Sequence, residues 1–146
     1  MTIPTQADPF DLDRFVAVQM DTYVRALAEI RRGRKTSHWM WFIFPQVAGL
    51  GSSAMSQHYA IRSLDEARAY LTHPALGGRY GECVAALHDS IGLSAETVLG
   101  SVDAAKLKSS LTLFSEAAPD DRLFAIALDR WFGGNKDAKT LQLLAG

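Results

Sequence analysis

Several features that define particular protein classes are scarce in this sequence. Cysteine occurs once in 146 residues, at Cys83, so no internal disulfide can form and a reducing, cytoplasmic location is expected. No apolar run is longer than six residues, as in Trp39–Phe44, whereas a helix that spans a bilayer needs about 20. Met1–Asp8 has neither a basic residue nor an apolar stretch, which argues against a secretory signal. We expect residues 1–8 to form a flexible N-terminal segment.

An excess of charge of one sign is also lacking. The chain has 15 Lys and Arg residues against 16 Asp and Glu residues, which gives a formal net charge of −1. Such a chain has no overall field that would attract nucleic acid or an anionic membrane surface. Neither is therefore an expected partner.

Core-forming residues, in contrast, are plentiful. Hydrophobic residues make up 48% of the chain, and a chain of this length buries roughly 68–70% of the surface that its unfolded form exposes. No internal repeat, low-complexity tract or linker-like stretch interrupts the sequence. The prediction is one compact domain over residues 1–146.

Helical periodicity dominates the chain. Over residues 12–30, apolar side chains recur at spacings of three and four, and Gly33 follows as a stop signal. Ser63 and Glu66 form an S-x-x-E capping box, and Asp137 precedes the last apolar pattern as a candidate N-cap. The sequence therefore predicts an all-α fold, a single compact domain of about seven or eight short helices without a sheet.

The aromatic segment SHWMWFIF, residues 37–44, is ambiguous. Its composition is typical of a strand, but Ser37 could cap a short helix that Pro45 ends. No second strand-like run exists to pair with it, and a lone strand leaves its backbone unpaired. We therefore predict a buried helix. The pairs that would share a face on it are His38 with Phe42 and Trp41 with Phe44.

Three glycines, Gly77, Gly78 and Gly81, fall in the helix predicted after Pro74. Each costs about 1 kcal/mol relative to alanine in a helix interior. Their presence indicates either a close backbone approach or a helix that begins only after Gly78.

A polar face is expected on the helix predicted to begin at Ser101 or Asp103. It is formed by Ser109, Thr112, Ser115 and Glu116. These groups either face solvent or line a groove.

The candidate functional residues lie between His38 and His58. Aromatic stripes at helical spacing are usually core, which is one interpretation of this block. In the other, Trp39 or Trp41 forms the stacking wall of an apolar pocket with a few polar groups, as small-ligand sites have. The candidate polar ligand-binding residues are Gln46, Ser52 and Ser56.

His38 and His58 are the candidate catalytic residues, because imidazole moves protons near neutral pH. If a pocket exists, these two residues and Gln46 are expected to converge on it beside Trp39 or Trp41. Each polar group within an apolar block needs a partner, and an open cavity supplies water or ligand.

Motifs for metal binding and nucleophilic catalysis are missing from the sequence. The histidines show no H-x-x-x-H spacing and Cys83 has no C-x-x-C partner, so neither a metal nor a cofactor is expected. Cys83 is expected to be a buried, unreactive core residue.

Six sequence blocks carry a family resemblance, and the most specific of them contains the string H-W-M-W-x-I-F-P-Q. In this chain the blocks are FDLDRFVAVQ (10–19), SHWMWFIFPQVAGL (37–50), MSQHYAI (55–61), AYLTHPALG (69–77), KLKSSLTLF (106–114) and residues 130–141. The chain resembles a bacterial family known as domain of unknown function 1810. The resemblance implies a small, mainly helical, single-domain protein, and it supplies no catalytic residue.

Two functions are consistent with these observations. The first is binding or hydrolysis of a nucleotide-like or other aromatic small metabolite at the block 38–59. The alternative is a non-catalytic protein-interaction module that uses an exposed helix face or the basic run Arg31–Lys35. The chain is expected to act as a monomer or homodimer.

Overall fold

Every regular element in the computed structural model, which describes residues 8–146, is helical. The nine helices are α1 (Asp13–Arg32), α2 (Met40–Ile43), α3 (Ala54–His58), α4 (Leu64–Thr72), α5 (Leu76–His88), α6 (Ala95–Leu99), α7 (Ser101–Ala117), α8 (Arg122–Phe132) and α9 (Ala138–Ala145). The all-α prediction is confirmed, but the predicted count of seven or eight is too low. Single-turn segments account for the difference: residues 95–99 form a short helix of their own, whose N-cap Ser94 accepts from the Thr97 amide. The expected flexible segment lies, except for Asp8, outside the described residues.

The helix ends follow the local signals in the sequence. Gly33 has a φ of 78° and closes α1, and the Asp137 side chain caps α9 by accepting from the Thr140 amide. Ser63 accepts from the Glu66 amide at 3.0 Å, as predicted. The Glu66 carboxylate, however, accepts from the Arg62 amide and not from that of Ser63. Its other oxygen pairs with Arg14 at 2.6 Å, which joins α4 to α1.

Helix α7 is the centre of the structure. It packs against α2, α4, α6, α8 and α9, and Ser109, Thr112 and Ser115 are therefore buried. The Thr112 hydroxyl donates to the Lys108 carbonyl at 2.8 Å and accepts from the Asp137 amide at 2.9 Å. Of the two alternatives, the solvent-facing one is therefore wrong for these three residues, and Ser109 lines a depression. Asp137, the N-cap of α9, is a hydrogen-bond partner of both Ser109 and Thr112.

Between α2 and α4 the chain forms one isolated parallel bridge, Val47 with Ile61. The Ile61 amide donates to the Gln46 carbonyl and the Ala48 amide donates to the Ile61 carbonyl, both at 2.8 Å. These bonds hold the loop after α2 beside the segment that leads into α4. No ladder of paired strands forms within residues 8–146.

The turn between α1 and α2 is organised by a buried carboxylate, that of Glu29. One of its oxygens accepts from the amides of Thr36 and Ser37 and from the Trp39 indole, at 2.7, 2.9 and 2.9 Å. The other accepts from the Ser37 hydroxyl at 2.6 Å. Burial raises the pKa of this carboxyl, but the hydrogen bonds from Ser37, Thr36 and Trp39 outweigh it and lower the pKa to about 2. The ionised carboxylate therefore fixes the start of the aromatic segment.

The start of α5 passes closely over the end of α4. A Cβ atom built on Gly77 would lie 2.0 Å from the Leu71 carbonyl oxygen. Of the two sequence-based alternatives, the close approach is therefore the correct one, since α5 already begins at Leu76. The neighbouring Gly78 has no heavy atom within 4 Å of the same built position.

We predict that Gly77→Ala lowers the free energy of unfolding by about 1–3 kcal/mol, because the new methyl group forces α4 and α5 apart. Gly78→Ala is the matched control on the same helix turn, and it should raise stability by up to about 1 kcal/mol. Urea denaturation at pH 7 measures both. Equal stabilities of the two variants would show that the α4–α5 contact is not tight.

We also predict that Glu29→Gln lowers stability at pH 7 by about 3 kcal/mol, since it replaces an ionised acceptor by an amide. The folded pKa lies below the ordinary value of 4.5, so the contribution is complete above that value and is lost as the pH falls towards about 2. The difference in the free energy of unfolding between variant and parent should shrink over the same pH range. Urea denaturation at several pH values measures it.

The control for this experiment is Glu96→Gln, at an exposed carboxylate. Its effect should stay within about 0.5 kcal/mol at every pH. A Glu29→Gln difference that does not change with pH would contradict the assigned pKa.

Candidate functional site

The two tryptophans of the aromatic segment have different environments. Trp39 is 1% exposed and donates its indole N–H to Glu29, so it belongs to the core. Trp41, two residues later, is half-buried and borders open space. Of the two candidate stacking walls, only Trp41 has a ring surface that is accessible from outside.

The predicted face pairs in this segment are wrong. Helix α2 is a single turn that begins at Met40, so His38 lies before it and is exposed while Phe42 is buried. Phe44 caps α2 and is fully buried, with its ring edge-on to Tyr80 at 5.3 Å. Pro45 and the Glu29-bound turn leave room for only four helical residues, which is too few for the assumed 3.6-residue periodicity.

Three adjoining depressions share Trp41 as a wall. The largest, which we call the Trp41 cleft, has a volume of about 230 Å³. It is lined by Trp41, Gln46, Leu50, Gly51, Ala105, Lys106, Ser109 and Asp137. A depression of about 50 Å³ on the other side of Lys106 includes His38, Trp39 and Lys35. Behind the ring, Ser56 and Tyr59 help to line a hollow of about 10 Å³, hardly wide enough for one water molecule.

A network of three charged side chains borders the ring of Trp41. The Asp103 carboxylate bridges Lys35 at 2.8 Å and Lys106 at 3.1 Å. The Lys106 ammonium lies 3.9 Å from the centroid of the Trp41 ring, within cation–π distance. The side chains of Lys35, Asp103 and Lys106 are only 9%, 17% and 21% exposed, so the charges are partly desolvated.

The side-chain amide of Gln46 is the least satisfied polar group of the site. Its Nε2 atom is buried and has no hydrogen-bond partner among residues 8–146. Gln46 lines both the Trp41 cleft and the narrow hollow behind the ring. The backbone of Gln46, which lies between the cleft and the hollow, is itself fixed to Ile61.

Glycine is required where the loop after α2 passes the ring. A Cβ atom on Gly51 would lie 2.7 Å from that of Ser56 and 3.9 Å from the Trp41 ring. The Ser56 hydroxyl donates to the Ser53 carbonyl at 2.8 Å, so it is part of the α3 cap. Ser52 is exposed and does not line the three depressions; its carbonyl accepts from the Gln57 side chain at 3.0 Å.

The predicted convergence of His38, Gln46 and His58 is not found. His38 and Gln46 border different depressions beside Trp41. His58, at the end of α3, is exposed, and its ring contacts Tyr59 edge-on at 4.6 Å. Its carbonyl accepts from Arg14 Nε at 2.9 Å, so the backbone at this position faces α1.

The charged residues of the site are those that sequence reasoning missed. Asp103 and Lys106 are three residues apart on α7, and Ser109 follows at the same spacing. This spacing places the three side chains on one face of a helix and is a readable signal. That the face lies against Trp41, and that Lys35 and Asp137 join it, depends on long-range packing.

A wider depression of about 460 Å³ lies near the start of α1. Its polar groups are already used in helix caps. Asp8 accepts from the amides of Leu12 and Asp13 at 2.8 and 3.0 Å, and His73 Nδ1 accepts from the Ala75 amide at 3.1 Å. Because these groups are already paired, this depression is not the candidate site.

Other kinds of site find no support in residues 8–146. That part of the chain contains no group of three or more His, Cys, Asp or Glu side chains placed to hold a metal ion. Cys83 is fully buried, and burial raises the pKa of its thiol to about 12, so it is not a thiolate at neutral pH. No described helix is long and apolar enough to cross a membrane. The expected cytoplasmic location stays a prediction.

The chain has a close structural relative. It is similar to the conserved hypothetical protein Rv1873 from Mycobacterium tuberculosis, whose crystal structure was determined at 1.38 Å. The two sequences are 47% identical, and the match covers 95% of this chain and 99% of that one with a TM-score of 0.92. The relative supports the fold and brings no activity with it.

No protein with a curated function matches the chain. The sequence profile of the family described as "Protein of unknown function (DUF1810)" matches residues 9–144. This match confirms the resemblance carried by the aromatic string and its neighbouring blocks, and the chain belongs to the DUF1810 family.

Proposed function

We propose that the Trp41 cleft binds a small metabolite with a planar aromatic ring, of the size of a nucleoside or smaller. The observation that carries this proposal is the position of Trp41. Most large aromatic side chains of the 38–59 block are buried, whereas the ring of Trp41 walls three adjoining depressions. An indole ring at the wall of a cleft is a stacking platform for another flat ring.

The size and lining of the cleft support a small ligand. The volume of the Trp41 cleft is about 230 Å³. This is below the range of about 300–1,000 Å³ that is common for ligand pockets, so the ligand must be small. Around the ring, the polar side chains that line the cleft include those of Gln46, Asp137 and Lys106. An apolar wall with a few fixed polar groups is the usual design of such sites.

Binding is better supported than hydrolysis. General acid–base catalysis needs a proton carrier within hydrogen-bond reach of the reacting atoms. His58 does not line any of the three depressions beside Trp41. His38 lines only the depression of about 50 Å³ and not the Trp41 cleft. His38 therefore stays a predicted proton carrier, and binding is the activity that we propose.

The alternative function, a non-catalytic interaction module, rests on one observation. Met20 and Val24 lie one turn apart on α1 and are 75% and 80% exposed. Two apolar side chains on one helix face could meet a protein partner, although single exposed apolar residues are common on protein surfaces.

We predict that a thermal-shift screen against nucleosides, mononucleotides, ADP-ribose and aromatic amino acids finds a stabilising ligand. At a hundredfold excess over its Kd, such a ligand adds about 2.7 kcal/mol to the free energy of unfolding. Trp41→Leu should weaken its binding about tenfold or more, because ring stacking contributes about 1–3 kcal/mol. Isothermal titration calorimetry measures the two affinities.

The matched control is Trp131→Leu. Trp131 is also half-buried, but it stacks on His88 between α5 and α8, away from the Trp41 cleft. This variant should bind the same ligand with unchanged affinity. Equal binding of the ligand by the Trp41→Leu protein and the parent would overturn the proposed function. Loss of a protein partner when Met20 and Val24 are changed to serine would favour the alternative function.

A further inference from the structure

The charges beside Trp41 are not balanced within their own cluster. Two ammonium groups, those of Lys35 and Lys106, share the single carboxylate of Asp103. All three side chains are at most 21% exposed, so water compensates the second positive charge poorly. His38, which lines the depression of about 50 Å³ together with these three residues, adds no negative charge.

The carboxylate of Asp137, which lines the Trp41 cleft, does not neutralise this cluster. Lys106 forms its ion pair with Asp103, and none of the ion pairs among residues 8–146 joins Lys106 to Asp137. Asp137 Oδ2 instead accepts from the Thr140 amide and hydroxyl at 3.0 and 2.5 Å and from Ser109 at 3.2 Å. Its charge therefore faces the N-terminus of α9, where the helix dipole favours it. The cleft is lined by one cationic side chain, Lys106, and one anionic side chain, Asp137.

From this charge imbalance we infer that the ligand of the Trp41 cleft carries an oxyanion, a phosphate or a carboxylate, that binds at Lys106, which lines both the cleft and the neighbouring depression that contains Lys35. The inference rests on the proposed function, since the ring of the ligand stacks on Trp41. Asp137 also lines the cleft and would repel an anionic group placed beside its carboxylate.

Lys106 is suited to this role because of its position on the ring. The ammonium lies over the face of Trp41 at 3.9 Å, so it occupies the surface on which we expect the ligand ring to stack. A lysine stem is flexible. A ligand that brings its own oxyanion can therefore draw the ammonium from the indole face to the new negative charge, while Asp103 keeps Lys106 and Lys35 together.

Three probes that share one ring test the inference: benzyl alcohol, benzoate and phenyl phosphate. They are titrated at pH 7 into the ¹⁵N-labelled protein while the Trp41 indole N–H signal is recorded, and inorganic phosphate is titrated separately. At least one of the two anionic probes should bind about fivefold or more tightly than the neutral alcohol, as expected for one partly buried charge contact. Preference for phenyl phosphate over benzoate would identify the oxyanion as a phosphate.

Variants of one helix separate the charge from other effects. Lys106→Met keeps an apolar stem over Trp41 and should abolish the preference for anionic probes over benzyl alcohol. Lys106→Arg should retain the preference. Lys108→Met, which removes the same charge two residues away on α7 and outside the lining of the cleft, should bind all probes as the parent does.

The outcomes distinguish this inference from the proposed function. If all three ring probes bind equally, the oxyanion subsite is wrong and ring binding stands. If inorganic phosphate shifts the Trp41 signal in the parent but not in Lys106→Met, and no ring probe binds better than phosphate, the subsite stands and ring binding is wrong. If no titrant moves the Trp41 signal, both are overturned.

Discussion

The buried carboxylate of Glu29 is the interaction on which the candidate site depends. It accepts four hydrogen bonds from the turn that follows α1, including one from the indole of Trp39. An ionised group pays a desolvation penalty in the core, which these bonds must exceed for the pKa to lie near 2. With Trp39 held inside, the single turn of α2 places Trp41 at the surface. One carboxylate thereby decides which tryptophan is core and which is accessible.

The rest of the site comes from a different part of the chain. Helix α7 is central, and its Asp103–Lys106 face lies against the ring that α2 presents. Lys35, from the turn that Glu29 organises, completes the charge network through Asp103. Helix α9 adds Asp137, whose carboxylate is fixed by Thr140 and Ser109. The cleft therefore exists only in the folded chain, as the meeting point of three segments.

Local signals explain which features the sequence predicted. The caps at Ser63 and Asp137 and the stop at Gly33 depend on hydrogen bonds within a few residues, so the pattern alone suffices. Among the site residues, composition indicated the right block but could not separate Trp39 from Trp41. That difference depends on Glu29, ten residues earlier along the chain than Trp39. Asp103 and Lys106 were missed, and Lys35 was considered only within the basic run Arg31–Lys35, since sequence spacing cannot show which helix face will meet a distant aromatic ring.

The role of Glu29 is tested by a ¹³C NMR titration of its carboxyl carbon. The indole N–H signals of Trp39 and Trp41 are recorded at each pH. We expect a midpoint near pH 2, and we expect the Trp39 signal to follow the same midpoint because protonation removes its acceptor. The Trp41 signal should then change with it, as the turn that positions α2 loosens. A midpoint near the ordinary pKa of 4.5, with a Trp39 signal that does not respond, would contradict the role assigned to the Glu29 carboxylate.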